Sequence, residues 1–431
     1  MVLQVVQNVQ QVWRQSTTAR NITKVYGGNI VSTAINVGAA LILIRGLSVS
    51  DYASFVAFIS LAVLSSGLVG NAINIALVRF SAEQLSRTGK KPYSLYMAAL
   101  LAEVVIFLML IAVCFASPAA ISKLVLGKDT FARVVQVGMF YGLGMLLLQM
   151  GRGVYQAEQR FNLYIGTLWL RQGLTLILLT TLWLTHRLSF ETVAWMTSSL
   201  SLIIGAGVIF YSLGIHRSTT TVQQIWEERN QLRQFFAATG WLVGYYLCLS
   251  AFGQMDIILL SRYTNEPEVA IYGVAFRYFS IALLLLESIH AVLLPKFSQP
   301  NMQNPEAQRS FLKSWLRFSV WAIIPVILSV FFGKKPFIWL NGPIYANSFY
   351  ILVILAFGVW LSLMFSPLVN ILLSRRDFRY LFILGACALL TSIIGNLILI
   401  PLFKGIGAAI VVVIANNFVL QLPILWRVYR R

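Results

Sequence analysis

Five ionisable residues interrupt long apolar runs of the sequence, and they are the first candidates for chemistry. Two are arginines, Arg171 and Arg277, and three are carboxylates, Glu103, Asp256 and Glu287. At the centre of a bilayer each of these charges costs at least about 2.5 kcal/mol. Such residues pair with one another or face a water-filled cavity, so they indicate either structural ion pairs or a binding site.

Depth along the predicted helices favours two ion pairs. Glu103 and Arg171 each lie about nine or ten residues from the same end of their helices, near mid-membrane at about 1.5 Å per residue. Asp256 and Arg277 share a depth nearer the opposite surface. In one interpretation these pairs are static links between helices. In the other interpretation, the arginines face an aqueous cavity, and the carboxylates either hold them in position or free them to bind a solute.

Glu287 has no obvious partner in the sequence. Because a charged carboxylate is costly in an apolar environment, Glu287 is a candidate for proton coupling. The alternative is a simple bond to His290, one turn along the same predicted helix.

The elements that position these residues are predicted to cross a membrane. The 431 residues are 58% hydrophobic and only 11% charged, whereas soluble domains are about one quarter charged. The apolar residues form runs of around 20, enough to cross about 30 Å of hydrocarbon as a helix. We therefore predict an all-α integral membrane protein of about 12 transmembrane helices. The predicted spans are 25–46, 51–74, 93–116, 133–155, 162–184, 190–213, 235–261, 270–294, 312–332, 345–372, 378–401 and 404–426.

The basic residues predict the orientation of these spans. Most of the 33 Lys and Arg residues fall in the loops that share one side with both termini. Since cytoplasmic loops carry an excess of Lys and Arg, both termini are predicted to be cytoplasmic. The same rule accounts for the formal net charge of +19. We expect no nucleic acid among the partners, because no basic and aromatic module fits in the loops.

A repeat at one fixed offset predicts two halves of six spans each. Arg79-Phe80-Ser81 is matched by Lys296-Phe297-Ser298, and the same offset takes Phe161 to Phe378. Halves with an even number of spans have the same orientation, which is the parallel-repeat arrangement of rocking transporters. The predicted organisation is an amphipathic N-terminal segment at 1–24, a six-helix bundle at 25–213, a cytoplasmic linker at 214–234 and a second six-helix bundle at 235–431.

The sequence lacks the motifs of covalent catalysis. It contains no P-loop, so ATP hydrolysis is not expected, and no zinc-protease or serine-hydrolase motif. Cys114, Cys248 and Cys387 lie in apolar runs at spacings that match no metal or disulfide framework. We therefore predict a transporter without a cofactor or metal, and not an enzyme.

Longer stretches of the sequence resemble a known family. The stretch MDIILLSRYTNEPEVAIYGVAFRYFSIALLLLESIHAVLLPKFS contains Asp256, Tyr272, Arg277 and Pro295, and its first-half counterparts are RGLSVSDYASF with Tyr52 and ALVRFSAEQ. Together with twelve predicted spans in two halves, they resemble the MOP exporter superfamily. Within it they are most similar to the polysaccharide-transport branch, the Wzx-type lipid-linked oligosaccharide or O-antigen flippases.

The resemblance implies a V-shaped pair of six-helix bundles that works by alternating access in the bacterial cytoplasmic (inner) membrane. The implied cargo is a polyprenyl-diphosphate that carries an O-antigen or exopolysaccharide repeat unit. Any driving force would come from antiport of H+ or Na+, and the polysaccharide polymerase and chain-length machinery are candidate partners. Arg277 and Arg171 are the expected cations of the cavity, with Arg45, Arg79 and Arg152 near its mouths. Arginine suits this cargo because it binds phosphate bidentately.

Two other functions remain open from the sequence. An ion-coupled multidrug exporter of the same superfamily would prefer acidic cavity residues, whereas Arg171 and Arg277 favour an anionic solute. A membrane polysaccharide polymerase or glycosyltransferase would need a sizeable outer loop or an acidic donor-binding motif, and the predicted outer loops are short.

Overall fold

The computed structural model describes residues 17–89, 91–213, 229–297, 304–375 and 377–430. This part of the chain is built from helices and short connections, and it contains no strand. The α-helices are α1 Thr17–Gly46, α2 Val49–Ser66, α3 Ala72–Thr88, α4 Tyr93–Ala116, α5 Pro118–Leu126, α6 Ala132–Ala157, α7 Phe161–Leu184, α8 Phe190–Leu213, α9 Arg229–Tyr263, α10 Glu266–Phe297, α11 Pro305–Trp321, α12 Ile323–Phe332, α13 Lys334–Asn341, α14 Ser348–Ser374, α15 Phe378–Val413 and α16 Leu422–Arg430.

Eleven segments of the described chain are long and apolar enough to cross a membrane, and the last of them, with 51 residues, is long enough to cross twice. That segment, Phe378–Val428, reverses at Lys404, whose φ of 50° and ψ of −130° are not helical. A Cβ on Gly395 would lie 3.0 Å from the side chain of Val411, although 16 residues of continuous helix would extend about 24 Å. The fold class and the predicted number of spans are therefore confirmed.

Three predicted boundaries differ from the structure. Residues 17–24 form the first turns of α1, and the rest of the predicted amphipathic segment lies outside the described residues. Residues 229–234 of the predicted linker belong to α9, and 214–228 lie outside the described residues. The ninth span is divided between α11 and α12, with Pro325 in the first turn of α12, where a missing N–H is tolerated.

A π-helical turn divides the second span between α2 and α3. It covers Gly67–Asn71 and inserts an extra residue into an otherwise continuous helix. Such insertions change which side chains face a given side of the helix and occur frequently at functional sites. The side chain of Asn71, the last residue of the turn, donates a 2.9 Å hydrogen bond to Ser250 of α9. The turn therefore links the second span to the seventh.

One end of the molecule carries several contacts between the first six spans and the last six. At this end, here called the joined end, Arg45 donates to the carbonyls of Leu340 (2.7 Å) and Trp339 (2.5 Å). Ser50 donates a 2.6 Å hydrogen bond to Glu266, and the rings of Tyr52 and Tyr345 lie 5.9 Å apart in an edge-on arrangement. The other end, where Gly89, Gln159 and Asp377 lie, is called the basic end.

Glycines allow the closest helix packing in the first six spans. A Cβ on Gly144 of α6 would lie 2.7 Å from the backbone of Leu202, and one on Gly205 of α8 would lie 2.9 Å from the carbonyl of Gly144. Small residues at such crossings let two backbones approach, which is the usual source of packing energy between helices in a membrane. The contact between α6 and α8 therefore depends on the absence of side chains at these positions.

We predict that Gly144→Ala destabilises the protein by about 1–3 kcal/mol, because the new methyl group would meet the backbone of Ser201 and Leu202 and the Cβ of Ser201, none of which can move aside easily. Gly166→Ala on α7 is the matched control, since a Cβ there meets nothing within 4 Å. The control should be neutral or stabilising, as Ala is the better helix former. Thermal unfolding of the purified protein in detergent measures both. Equal melting temperatures for the two variants would contradict the packing described here.

Candidate solute-binding site

A cavity of about 190 Å³ lies near the middle of the membrane-spanning helices. It is enclosed by α1, α2, α6, α7, α8 and α10, so both the first six spans and the eighth span contribute to its wall. Its lining combines apolar side chains with amides, hydroxyls and two arginines. The lining residues are Asn36, Ala39, Leu43, Phe55, Ile59, Val63, Tyr141, Met145, Arg171, Gln172, Thr175, Leu179, Thr197, Ser201 and Arg277.

The two arginines reach this cavity from different parts of the chain. Arg171 on α7 donates to the hydroxyl of Tyr141 at 3.2 Å, and the same nitrogen lies 3.7 Å from the sulfur of Met145. Arg277 on α10 donates a 2.7 Å hydrogen bond to the amide oxygen of Asn36 on α1. The guanidinium groups are therefore held by neutral acceptors.

The charge of the cavity is positive. No Asp or Glu is among its lining residues. Within the described side chains, no carboxylate lies within 4.0 Å of Arg171 or Arg277. In a medium of low dielectric constant such charges interact strongly with any ion that enters. The arrangement therefore suits an anionic group and disfavours a cationic one.

A second cavity, of about 240 Å³, adjoins the first on the side of the joined end. Leu43, Phe55, Ile59, Val63 and Arg277 line both cavities. The second cavity adds the neutral groups Tyr52, Gln254 and Ser280 together with further apolar side chains. The Arg277 guanidinium thus lies where the two cavities meet.

Neither of the two predicted ion pairs forms. Asp256 is 1% exposed and accepts hydrogen bonds from the Tyr272 hydroxyl and from the backbone N–H of Ile257, the latter at 2.8 Å. Tyr272 and Arg277 are five residues apart on α10, so they point about 140° apart around the helix. Arg277 therefore does not reach Asp256, although the two residues lie at similar depth.

Glu103 and Arg171 are separated by α6. Gly142 of α6 faces both α2 and α4, since a Cβ there would lie 2.7 Å from the Ser65 hydroxyl and 2.9 Å from the Phe107 ring. The neighbouring residue, Tyr141, faces Arg171 on α7 instead. Glu103 is fully buried, and neither of its carboxyl oxygens has a hydrogen-bond partner among the described residues. Tyr141 and Gly142 are adjacent and point about 100° apart around α6. Arg171 and the helix that carries Glu103 therefore lie against different sides of α6, and the predicted pair does not form.

Of the remaining predicted site residues, those with described side chains do not line the central cavity. Arg45 is engaged by the carbonyls at the joined end, and Tyr52 is buried between Phe55 and Tyr345. Arg152 on α6 lines a third cavity, near the basic end, with its guanidinium 4.2 Å from the ring centroid of Tyr164. Pro295 lies in the last turn of α10. The side chains of Arg79, Glu287 and Pro295 lie outside the described residues.

Sequence reasoning missed the neutral part of the lining. A single amide or hydroxyl costs less in a membrane helix than a charge does, so its position in the sequence is a weaker signal. The neutral lining residues of this kind are Asn36, Gln172, Thr197 and Ser201. A signal was present in their spacing. Thr197 and Ser201 are four residues apart and therefore share one face of α8, and Gln172 follows Arg171 directly.

The sequence of the chain matches the profile of a known protein family. The profile of the family described as "Polysaccharide biosynthesis protein" matches residues 18–300, which is more than half of the chain. The chain belongs to this family. The predicted membership of the MOP exporter superfamily, in its polysaccharide branch, is confirmed. A comparison with curated proteins gives no significant match.

Solved transporters share the fold of this family member. The lipid II flippase MurJ in an inward closed conformation aligns with a TM-score of 0.73 and 16% identity, over 94% of this chain and 87% of that one. A multidrug resistance MATE family transporter, inward-facing, aligns with 0.67 and 16% over 92% and 95%. A MOP superfamily transporter from Pyrococcus furiosus aligns with 0.62 and 15% over 95% of each chain, and its description reports a binding pocket of reversed polarity.

These findings establish the general function of the chain. It is a multi-pass membrane transporter of the MOP superfamily, and the related proteins are transporters or flippases and not enzymes. Identities of 16% and below show the fold alone and do not identify the solute.

We predict that Asp256 is coupled to Tyr272 and not to Arg277. In a double-mutant cycle, Asp256→Asn and Tyr272→Phe should show an interaction energy of about 0.5–3 kcal/mol, because the first removes the acceptor's charge and the second removes the donor of the same buried hydrogen bond. The cycle of Asp256→Asn with Arg277→Gln should be additive. Melting temperatures of the purified single and double variants measure both cycles. Strong coupling of Asp256 to Arg277 would restore the ion pair expected from the sequence.

Proposed function

We propose that this transporter moves a polyprenyl-diphosphate-linked oligosaccharide, such as an O-antigen or exopolysaccharide repeat unit, across the bacterial cytoplasmic membrane by alternating access. The observation that supports this proposal is the pair of arginines, Arg171 and Arg277, at one cavity whose lining contains no carboxylate. Family membership in polysaccharide biosynthesis supports the same class of cargo.

The chemistry of the cavity fits a diphosphate. Guanidinium groups bind phosphate oxygens bidentately, and such charge-assisted hydrogen bonds are about twice as strong as neutral ones. Asn36 and Tyr141 hold the two guanidiniums through only one nitrogen each, which leaves further N–H donors for a ligand. The neutral amides and hydroxyls of the lining, such as Gln172 and Ser201, would contact the remaining polar atoms of the headgroup.

Alternating access requires the two halves to separate at one end and join at the other. We propose that the bundles predicted at 25–213 and 235–431 are these halves, with 214–228 between the first bundle and α9 and with both termini in the cytoplasm. The joined end would then face away from the cytoplasm, and its contacts, such as that of Arg45 with the carbonyls of α13, would break when the cavity opens there. The polyprenyl tail would stay in the bilayer while the headgroup crosses.

The proposal also includes a source of energy for transport and a protein partner that uses the product. Antiport of H+ or Na+ would supply any driving force. Glu103, Asp256 and Glu287 are the carboxylates proposed to take part, and of these Glu103 is buried without a described hydrogen-bond partner. A polysaccharide polymerase with its chain-length machinery would consume the translocated repeat units.

Arg277→Ala is expected to lower transport at least tenfold at normal protein abundance, because the diphosphate loses a bidentate partner. Arg171→Ala should act in the same direction, and Arg277→Lys should restore transport only in part. Arg187→Ala, at an exposed arginine in the turn between α7 and α8, is the matched control. Complementation of a host depleted of this protein measures the effect as accumulation of single lipid-linked repeat units on the cytoplasmic leaflet. Normal surface polysaccharide with Arg277→Ala would refute the proposed role.

An ion-coupled multidrug exporter is the second candidate, since the fold of a multidrug resistance MATE family transporter aligns over 92% of the chain. The positive cavity argues against a cationic drug as the solute. In the same depleted host, unchanged pools of lipid-linked oligosaccharide together with new sensitivity to cationic drugs would favour this second candidate.

A further inference from the structure

A third cavity, of about 260 Å³, lies near the basic end and is lined mostly by uncharged polar side chains. It is enclosed by the π-helical turn, α3, α6 and the first turn of α7. We call it the amide cavity. Its polar lining residues are Asn71, Asn74, Gln149, Arg152, Gln156 and Tyr164.

One buried amide and the oxygen of a second, half-buried amide have no hydrogen-bond partner among the described residues of this cavity. Asn74 is 8% exposed, and neither its amide nitrogen nor its amide oxygen has a partner among the described residues. The side-chain oxygen of Gln149 is in the same condition. Since buried amides in native proteins are nearly always hydrogen-bonded, unsatisfied groups that converge on a cavity need water or a ligand to complete them.

The backbone is shaped to aim these amides at one point. A Cβ on Gly70, in the π-helical turn, would lie 3.3 Å from the amide nitrogen of Asn74 and 3.4 Å from the amide oxygen of Gln149. A Cβ on Gly153 would lie 3.2 Å from the amide oxygen of Asn74. Glycine at both positions keeps the space between the amides open.

One face of α6 connects the amide cavity with the central cavity. Tyr141 and Met145 line the central cavity, and Gln149, Arg152 and Gln156 line the amide cavity. These residues follow one another at intervals of three or four, so they share one side of the helix. At about 1.5 Å per residue, the amide cavity lies roughly 10–15 Å from the arginines along the transport axis.

The donor set of the amide cavity suits a carbohydrate. Amides offer a donor and an acceptor side by side, which matches the hydroxyl groups of a sugar ring. Tyr164 adds an aromatic face, on which Arg152 already stacks at 4.2 Å. A metal cation is disfavoured by the guanidinium, and a purely apolar ligand would leave the amides unsatisfied.

We propose that the amide cavity is a sugar-binding subsite, which holds the saccharide of the cargo while its diphosphate lies between Arg171 and Arg277. Asn74 and Gln149 supply the hydrogen bonds that recognise hydroxyl groups. This inference rests on the proposed function, and it adds a residue set that recognises the sugar independently of the phosphate.

The test compares two lipids that differ only by the sugar. Binding of undecaprenyl diphosphate and of the lipid-linked oligosaccharide extracted from the depleted host is measured on the full-length protein in nanodiscs. Asn74→Leu and Gln149→Met remove the amides with little change in size. Each should weaken binding of the oligosaccharide lipid about tenfold, the effect of losing roughly one buried hydrogen bond, and leave undecaprenyl diphosphate unchanged.

Controls separate the subsite from general effects on folding and on diphosphate binding. Asn162→Leu replaces an exposed amide at the same end, outside the cavity, and should bind both lipids like the wild type. Arg277→Gln should weaken both lipids. Melting temperatures of the two amide variants should be equal to or above that of the wild type, since the Asn74 amide and the Gln149 oxygen have no described partner to lose.

Three results would overturn the inference. Wild-type affinity of both amide variants for the oligosaccharide lipid would show that the amide cavity holds only water. Equal weakening of both lipids would assign the amides to the fold or to the diphosphate. Failure of the wild type to bind either lipid would overturn the proposed function itself and the subsite with it, whereas the first two results leave that function standing.

Discussion

Two guanidinium groups near the middle of a membrane are the constraint on which the rest of the structure depends. A charge in hydrocarbon has to be hydrated, paired or solvated by protein dipoles. Here the dipoles are neutral groups on α1 and α6, namely Asn36 and Tyr141. Because these partners do not cancel the positive charge, the cavity keeps a strong attraction for anions. The helices that supply arginines and partners come from both halves of the chain, so any relative movement of the halves alters the cavity.

This arrangement links binding to movement. Arg171 stays with its partner on α6 within the first six spans, whereas the hydrogen bond from Arg277 to Asn36 crosses between α10 and α1. An anion bridged by both arginines would replace that crossing bond by its own contacts. The two halves would then be held by the solute and by the contacts of the joined end. On this account the solute, through its phosphate oxygens, contributes to the equilibrium between the open states.

The sequence predicted the fold and part of the site, and the reasons for the difference are physical. Span-length apolar runs and isolated charges are detectable because each costs energy in a bilayer, which identified Arg171 and Arg277. Partners depend on helix rotation, which sequence does not reveal. Asp256 therefore binds Tyr272, and α6 separates Glu103 from Arg171. The amides Asn74 and Gln149 were missed because a neutral polar residue at helical spacing is common in membrane helices.

The sign of the solute charge is the central claim, and calorimetry on the purified protein in nanodiscs tests it most directly. Inorganic pyrophosphate and tetraphenylphosphonium are titrated separately into the wild type and into the Arg171→Gln/Arg277→Gln double variant. The account predicts that pyrophosphate binds the wild type, that the double variant loses this binding, and that tetraphenylphosphonium does not bind the wild type. Binding of tetraphenylphosphonium with no binding of pyrophosphate would contradict it.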